Sequence, residues 1–243
     1  MFKGKTLSVV MPAYNEEEAI SQTVSDFLAV GFVDEVVVVD NNSKDQTAKL
    51  AQQSGARVVL ETEQGYGHAC QRALREASTD LVVLIEPDGT FLPRDITKFL
   101  AYADDFDVIF GSRTSKSCIL AGSNMGYFLR YGNWAVAKLL EYLHNGPCLT
   151  DVGCTYKMFR REVIKDVERL WSVGGSAFSP ESMITSIRRG WKCVEIPVNY
   201  GQRVGTSKIT GKFSRAFKLG LGMVWLILVY RFKPIGRHTG RSP

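Results

Sequence analysis

The chain of 243 residues is long enough for one large domain or two small ones, and its 45% hydrophobic and 23% charged residues are typical of a globular protein. Its five cysteines are widely spaced and never arranged as C-x-x-C, which argues against a disulfide framework or zinc knot and favours a reducing compartment. With three histidines, a histidine-built metal site is not expected. The N-terminal segment lacks the apolar core of a signal peptide, so we expect the protein to face the cytosol.

The net charge of +5 is unevenly distributed along the chain. Residues 196–243 contain nine Lys and Arg and no acidic residue, so the preceding part carries a small negative charge. A basic end of this kind attracts nucleic acid, phosphorylated ligands or anionic lipid head groups. The alternative is a charged end that is merely solvated.

Short apolar runs rich in β-branched residues alternate with helix-period segments in the first half of the chain. The strands predicted from these runs are 6–11, 35–39, 57–60, 81–85 and 108–110. The helices predicted between them are 16–30, 45–54, 68–77 and 93–102. This alternation predicts an α/β fold with a mostly parallel sheet and helices on both faces. Ligands of such sheets bind at the carboxyl ends of the strands.

The second half is less regular. The elements predicted there are helices at 124–143, 161–170, 180–189 and 213–232 and strands at 154–159 and 193–198. The apolar stretch of the last helix covers only 219–230, whereas a membrane-spanning helix needs about 20 residues. Phe213 and Phe217 lie one turn apart, Trp225 and Tyr230 suit an interface, and basic residues flank both ends.

This pattern is typical of an amphipathic helix that lies on a membrane surface. The alternative is a helix packed on the core of the protein itself. We therefore divide the chain into a domain over 1–211 and a basic, membrane-interface helix and tail over 212–243.

Polar clusters follow the predicted strands, where ligands of a parallel sheet bind. They are Pro12-Ala13-Tyr14-Asn15-Glu16, Asp40-Asn41-Asn42-Ser43, Glu86-Pro87-Asp88-Gly89 and Gly111-Ser112-Arg113. An aromatic ring can stack on a nucleoside base, and a carboxylate can accept hydrogen bonds from the base or the ribose. Glu86 and Asp88 place hard oxygens side by side, which suits Mg²⁺ or Mn²⁺ bound together with a diphosphate. Each cluster alone is also compatible with a simple turn.

Taken together, the strings VVMPAYNEEEAI, VVVVDNNSKDQTA, LVVLIEPDG and FGSR closely resemble glycosyltransferase family 2. In the second half, LRYGNWAVAKLL, DVGCTYKMFRREV and IPVNYGQRVGTSK resemble its polyprenyl-phosphate branch, which includes dolichyl-phosphate mannose and glucose synthases. The resemblance covers nearly the whole chain to about Lys208. It implies the GT-A fold, a single Rossmann-like α/β domain that binds a nucleotide sugar.

The resemblance also implies roles for individual residues. The implied donor contacts are Pro12, Tyr14, Glu16, Asp40, Asn41, Gly65 and Gly67. The implied metal ligands, for Mg²⁺ or Mn²⁺, are Asp88 and Glu86. The implied phosphate-binding residues are Arg113, Arg130, Arg203 and Lys208. Among all of these, Asp88, Arg113 and Arg203 are expected to take part in catalysis.

Two positions depart from the family pattern. Asn41 stands where the second of two paired aspartates is usual, which questions its contact with the base. Glu86 is one methylene longer than the usual first metal-motif aspartate and could act through water or by orienting Asp88. The segment Gly65-Tyr66-Gly67 also invites a dinucleotide-binding interpretation, but that motif belongs after the first strand, and here Cys70 occupies the third glycine position.

The implied reaction moves a hexose, mannose or glucose, from a GDP- or UDP-sugar to a polyprenyl or dolichyl phosphate, with inversion at the anomeric carbon. The expected setting is the cytosolic face of a membrane, with no nucleic-acid partner. A phosphate acceptor is mostly dianionic at neutral pH and needs no general base, since its second pKa is near ~6. Two alternatives stay open: a transferase acting on a saccharide hydroxyl, with Glu181 as its base, or an inactive GT-A binding protein.

Overall fold

The computed structural model describes residues 1–123, 126–205 and 213–238, and the side chains of 213–216 lie outside that description. The strands are β1 Leu7–Ala13, β2 Glu35–Asp40, β3 Arg57–Leu60, β4 Leu81–Leu84, β5 Val108–Ser112, β6 Lys157–Arg160 and β7 Cys193–Pro197. The α-helices are α1 Ile20–Leu28, α2 Thr47–Gln53, α3 Tyr66–Glu76, α4 Ile96–Tyr102, α5 Tyr127–His144, α6 Arg161–Val167, α7 Phe178–Arg189 and α8 Phe213–Phe232.

The seven strands form one sheet in the order β3-β2-β1-β4-β6-β5-β7. All neighbouring pairs are parallel except those of β6, which runs antiparallel to both β4 and β5. The predicted α/β class and mostly parallel sheet are therefore confirmed. The strand predicted at 154–159 begins later, at Lys157, and supplies the antiparallel member.

Alternate side chains of each central strand enter two separate cores, because successive residues of a strand point to opposite faces. Val9 of β1 and Val38 of β2 are buried on the face covered by α1, α2 and α4. Val10 and Val37 are buried on the face covered by α3, α5, α6, α7 and α8. Burial on both faces explains why these strands are almost continuously apolar.

The loop after β1 replaces the first turn of the helix predicted at 16–30. Asn15 has a left-handed backbone with φ of 52°, and α1 begins only at Ile20. The N–H of Asn15 donates to Ser43 Oγ at 2.9 Å, and that of Glu16 donates to Thr47 Oγ1 at 2.8 Å. The loop is thus tied to the segment after β2, which brings the ends of two strands together.

The helix predicted at 213–232 is confirmed as α8, and one of its faces packs on the domain. Met223, Ile227 and Tyr230 are buried in the core shared with α5 and α7. A hydrogen bond of 3.1 Å joins His144 Nε2, at the end of α5, to the carbonyl oxygen of Ile227. The alternative of a helix packed on the core therefore holds for this face of α8. The division of the chain into 1–211 and 212–243 stays a prediction.

The opposite face of α8 is exposed and apolar. Its exposed large side chains are Phe217, Leu221, Trp225, Leu228, Val229 and Phe232, and Trp225 is 70% exposed. Nearby on α5, Tyr127, Phe128, Tyr131 and Trp134 are exposed as well. In the part of the chain that the structure describes, no helix combines the length with the apolarity that crossing a membrane requires.

Candidate active site

A cavity of about 730 Å³ opens at the carboxyl ends of β1, β2 and β4. Its polar wall is built by residues that follow these strands and by two arginines from later in the chain. These residues are Pro12, Tyr14, Glu16, Asn41, Glu86, Arg113 and Arg203. The clusters singled out from the sequence therefore meet at one edge of the sheet, as the topology predicts.

Asp88 does not itself line the cavity; it lies behind this wall in contact with Arg203, and only 1% of its surface is exposed. Its Oδ1 accepts hydrogen bonds from the N–H of Thr90 at 3.0 Å and from the Thr90 hydroxyl at 2.5 Å. Its Oδ2 accepts from Arg203 Nη1 at 2.8 Å, while Arg203 Nη2 donates to Glu16 Oε1 at 2.6 Å. One guanidinium thus bridges two carboxylates that follow different strands, β1 and β4.

Glu86 is held in the same wall by two hydroxyl groups. Its Oε1 accepts from Thr155 Oγ1 at 2.8 Å and from the Tyr66 hydroxyl at 3.1 Å. Burial, together with the neighbouring negative charge of Asp88, raises the pKa of Glu86. One oxygen of Glu86 is therefore engaged by protein donors, whereas Oδ2 of Asp88 is turned toward a cation.

Arg113 enters the cavity from the end of β5 in a fixed orientation. Its Nε and Nη2 donate to the two carboxylate oxygens of Asp151 at 2.8 and 3.0 Å, and its backbone N–H donates to the same group at 3.0 Å. The guanidinium carbon lies 5.2 Å from the ring centre of Tyr200. Burial alone lowers the pKa of Arg113, but the charge of Asp151 outweighs it and the pKa is raised. The bidentate pair keeps this cation charged and aimed.

Asp151 is positioned by Glu195 of β7. The carboxylate of Glu195 accepts from the N–H of Thr150 at 2.8 Å and from the N–H of Asp151 at 3.0 Å, and burial raises the pKa of Glu195 to about 7. Sequence reasoning missed Asp151, Thr155 and Glu195. The first two lie in the string DVGCTYKMF, which gave a signal, whereas Glu195 lies in an ordinary strand pattern.

The far wall of the cavity is apolar. It is formed by α5, through side chains such as Phe128 and Val136, and by α8, through Leu221, Met223 and Val224. The cavity therefore runs from carboxylates and arginines to a surface with the chemistry of a hydrocarbon. A ligand that fills it must itself be polar at one end and apolar at the other.

A comparison with known protein families identifies the family of this chain. The model of glycosyl transferase family 2 matches residues 8–168. The chain belongs to this family. It is 32% identical over 228 residues to a dolichyl-phosphate hexose transferase of Haloferax volcanii, covering 93% of this chain and 96% of that protein. It is 27% identical over 217 residues to an undecaprenyl-phosphate 4-deoxy-4-formamido-L-arabinose transferase of Pectobacterium atrosepticum, covering 84% of this chain and 62% of the other.

Solved structures agree on the fold. Glucosyl-3-phosphoglycerate synthase of Mycobacterium tuberculosis, crystallised with Mn²⁺, UDP and glucosyl-3-phosphoglycerate, matches with a TM-score of 0.72. The match has 23% sequence identity and covers 95% of this chain and 81% of that chain. The GT-A fold implied by the motifs is thereby confirmed.

Asn41 departs from the family 2 pattern for a reason visible in its contacts. Its Nδ2 donates to the carbonyl oxygens of Glu61 at 3.0 Å and Glu63 at 2.8 Å. Its Oδ1 accepts from the N–H of Gly65 at 2.8 Å and from Gln64 Nε2 at 3.1 Å. An ionised aspartate cannot donate, so only an amide satisfies this set of partners. Asn41 therefore shapes the 61–65 loop from a position on the cavity wall.

Gly65 and Gly67 do not line the cavity; Gln64 and Tyr66 do. A Cβ on Gly67 would lie 2.2 Å from the carbonyl oxygen of Val173, and the N–H of Gly67 donates to the carbonyl oxygen of Gly174 at 2.7 Å. The two glycines allow the 173–175 loop to approach this closely. The structure thus shows a packing role for both glycines, and their contact with the donor stays a prediction.

The remaining predicted contacts are scattered. Asp40 is buried outside the cavity lining, where its Oδ1 accepts from the N–H of Ser43 at 3.3 Å. Arg130 lies on α5 in a separate small pocket with Thr114, Tyr131 and Trp134. Lys208 falls outside the described residues. The structure therefore brings Arg113 and Arg203, but not Arg130, to the wall that holds Asp88.

Glu181, the candidate base for a hydroxyl acceptor, is fully buried on α7 and does not line the cavity. Its carboxylate accepts from the N–H and hydroxyl of Ser172, both at 2.9 Å, from the N–H of Val173 at 3.0 Å, and from the Tyr230 hydroxyl. These contacts anchor a loop and α8. The predicted role of Glu181 as a base is not compatible with this position.

The carboxylates fit a divalent cation only in part. Among the residues that the structure describes, no three His, Cys, Asp or Glu side chains converge as a metal site. Asp88, however, presents Oδ2 to a positively charged group, with Glu86 beside it. Mg²⁺ and Mn²⁺ commonly take one or two carboxylates and complete their shell with water and substrate phosphates. The residues therefore suit a metal that arrives with a diphosphate.

Proposed function

We propose that this family 2 enzyme transfers a hexose, mannose or glucose, from a GDP- or UDP-sugar to a polyprenyl or dolichyl phosphate, with inversion at the anomeric carbon. The observation that carries the proposal is the two-sided cavity, in which Arg113 and Arg203 line one wall and α5 and α8 supply an apolar one. A lipid phosphate has this same division. The names of the two relatives, a dolichyl-phosphate and an undecaprenyl-phosphate sugar transferase, support it.

The proposed chemistry is a single displacement. An oxygen of the acceptor phosphate attacks the anomeric carbon, and the bond from that carbon to the donor diphosphate breaks, so the nucleoside diphosphate leaves. A phosphate monoester with its second pKa near ~6 is already nucleophilic at neutral pH, so no side chain has to remove a proton. The position of Glu181, buried away from the cavity, is consistent with a mechanism that uses no such base.

The side chains of the polar wall supply binding and charge. Arg113 and Arg203 would hold phosphate oxygens, because a guanidinium fork can bind two of them at once. Asp88, with Glu86 beside it, would hold Mg²⁺ or Mn²⁺. Such an ion, when bound, neutralises the charge that develops on the departing diphosphate. Tyr14 and Glu16 would contact the nucleotide.

We also propose that the enzyme works at the cytosolic face of a membrane. Exposed apolar side chains on α5 and α8 line the cavity, among them Phe128 and Phe217. Aromatic side chains of this kind favour the boundary between lipid head groups and acyl chains. The five cysteines are all free, which suits a reducing compartment. We propose no nucleic-acid partner.

The test is a turnover assay with a panel of GDP- and UDP-hexoses and a short polyprenyl phosphate, with product mass as the readout. We expect a prenyl-phosphate hexose in Mg²⁺ or Mn²⁺ and none in EDTA. The prenyl alcohol and saccharide acceptors should stay unmodified. Product on a saccharide hydroxyl alone would contradict the phosphate acceptor, and no product with any donor would support an inactive binding protein.

Asp88→Asn tests the assigned metal ligand in the same assay. We expect turnover to fall by more than the ~10–100-fold typical for loss of an outer-shell partner, because an amide is a poorer ligand for a hard dication. Asp105→Asn, which alters an exposed carboxylate in the loop after α4, is the matched control and should leave turnover unchanged. Retention of more than about a tenth of the activity in Asp88→Asn would refute the assignment.

A further inference from the structure

Arg203 forms an ion pair with Asp88, the carboxylate that the proposed function assigns to a metal ion. Nη1 lies 2.8 Å from Asp88 Oδ2 and Nη2 lies 2.6 Å from Glu16 Oε1. The side chains of Asp88, Glu16 and Arg203 are 1%, 14% and 17% exposed. A carboxylate buried as deeply as Asp88 is costly without a partner of opposite charge. In the described part of the chain, Arg203 is that partner.

The backbone around Arg203 is fastened to the loop that carries Asp88. The N–H of Gly201 donates to the carbonyl oxygen of Thr90 at 2.8 Å, and the N–H of Val204 donates to that of Asp88 at 3.0 Å. The backbone is thus anchored two residues before Arg203 and one residue after it. A change of rotamer is then enough to take the guanidinium off Asp88 without moving the chain.

The contacts of Arg203 in this position are incomplete. Its Nε is buried and makes no hydrogen bond with any residue that the structure describes. A buried donor without a partner destabilises the conformation that contains it. The guanidinium is therefore well paired at its two Nη groups and poorly accommodated at Nε, which favours a second position where all its donors are satisfied.

We propose that Arg203 is an internal cation that competes with the divalent metal for Asp88, so that metal binding releases its guanidinium to the substrate phosphates. The inference rests on the proposed function, in which Asp88 is a metal ligand. A guanidinium and a dication cannot both occupy Oδ2, since like charges at this separation repel strongly in a shielded site. The exchange keeps Asp88 neutralised at every stage and makes the phosphate-binding fork available only when metal is present.

The first test measures Mn²⁺ affinity of the full chain by electron paramagnetic resonance, with no nucleotide or lipid. Arg203→Gln should bind Mn²⁺ about tenfold more tightly than the wild type, since one charged hydrogen bond to Asp88 no longer has to be broken. Arg113→Gln removes a cation from the same cavity that is paired with Asp151 instead, so its affinity should stay within about twofold of the wild type. Equal affinities in Arg203→Gln and the wild type would overturn the competition.

An equal gain in Arg113→Gln would overturn it too, because the effect would then be general electrostatics. If Arg203→Gln does not fold, Arg203→Lys decides. An ammonium group cannot bridge both carboxylates, so the lysine variant should bind Mn²⁺ more tightly than the wild type. Unchanged affinity in the lysine variant would count against the proposal. If Mn²⁺ fails to bind even the wild type with nucleotide present, the metal assignment of Asp88 and this inference fall together.

The second test addresses the release of the guanidinium. Binding of a short polyprenyl phosphate to the wild type should tighten when Mn²⁺ is added. In Arg203→Gln the gain from Mn²⁺ should be smaller, because no fork is set free. A metal-dependent gain of the same size in both proteins would show that Mn²⁺ itself attracts the phosphate, and would contradict the release.

Discussion

Glu181→Gln separates a structural role from a catalytic one. In the wild type, Oε2 of Glu181 accepts from the N–H of Val173 at 3.0 Å, while Oε1 accepts from Ser172 and Tyr230. A glutamine keeps one acceptor oxygen and turns an NH₂ group toward one of these donors. At least one hydrogen bond to a charged group is lost, and such bonds contribute about 1.5–3 kcal/mol each.

For a chain of this size, that loss corresponds to a fall of about 3–12 °C in the melting temperature. Thermal unfolding measures it, and kcat is then compared well below both melting temperatures, where we expect a change under about threefold. Tyr230→Phe is the matched control, since it removes a donor and leaves the carboxylate; it should lower the melting temperature and spare kcat. An unchanged melting temperature in Glu181→Gln with kcat lowered ~10²–10⁴-fold would refute this reasoning and restore Glu181 as a base.

Three further predictions concern the cavity wall and the last helix. Asn41→Asp should lower the free energy of unfolding by about 1–3 kcal/mol in urea denaturation, because a carboxylate cannot donate to the two carbonyl groups; unchanged stability would contradict this. The pKa of Glu195 is raised on folding from 4.5 to about 7, so the folded protein binds more protons between these values and loses stability as the pH rises through them. Glu195→Gln should remove that slope, and parallel melting curves for the two proteins from pH 4.5 to 8 would count against it. Ile227→Ala should lower the free energy of unfolding by about 2–4 kcal/mol and leave binding to anionic vesicles unchanged. Trp225→Ala should weaken vesicle binding and leave stability unchanged, and the opposite pattern would show that the two faces of α8 are wrongly assigned.

The strand-end clusters were predictable because they depend on local and topological rules alone. Apolar runs such as 35–39 define strands, and parallel strands with short connections bring their carboxyl ends to one edge. That Glu16 and Arg113 would line one cavity, with Asp88 close behind it, was therefore predictable without any knowledge of side-chain packing. The same rules do not fix the direction of a strand that follows an irregular segment, and β6 proved antiparallel.

Partners between distant positions were not predictable. Arg113 and Asp151 are 38 positions apart, and Arg203 and Asp88 are 115 apart, so their pairing depends on tertiary packing. Glu181 looked like a base because it opens a helix near the predicted site, yet it faces the core. An acidic residue near a helix start has the same sequence signature whether it serves chemistry or anchors a loop, and only its neighbours distinguish the two.

The two arginines of the cavity differ in what holds them, and the difference bears on function. Asp151 is fully buried, is fixed by Glu195, and holds Arg113 through both carboxylate oxygens, so this pairing is hard to replace. Asp88 contacts Arg203 through Oδ2 alone, and its neighbours Glu86 and Pro87 line the cavity, so this pairing is the easier one for an entering cation to replace. Arg113 is then a constant positive charge, and Arg203 is an exchangeable one. Under the proposed function the site holds two phosphate-bearing substrates close together, and this arrangement favours that, because the fixed charge attracts the first and the released charge is added only for the second.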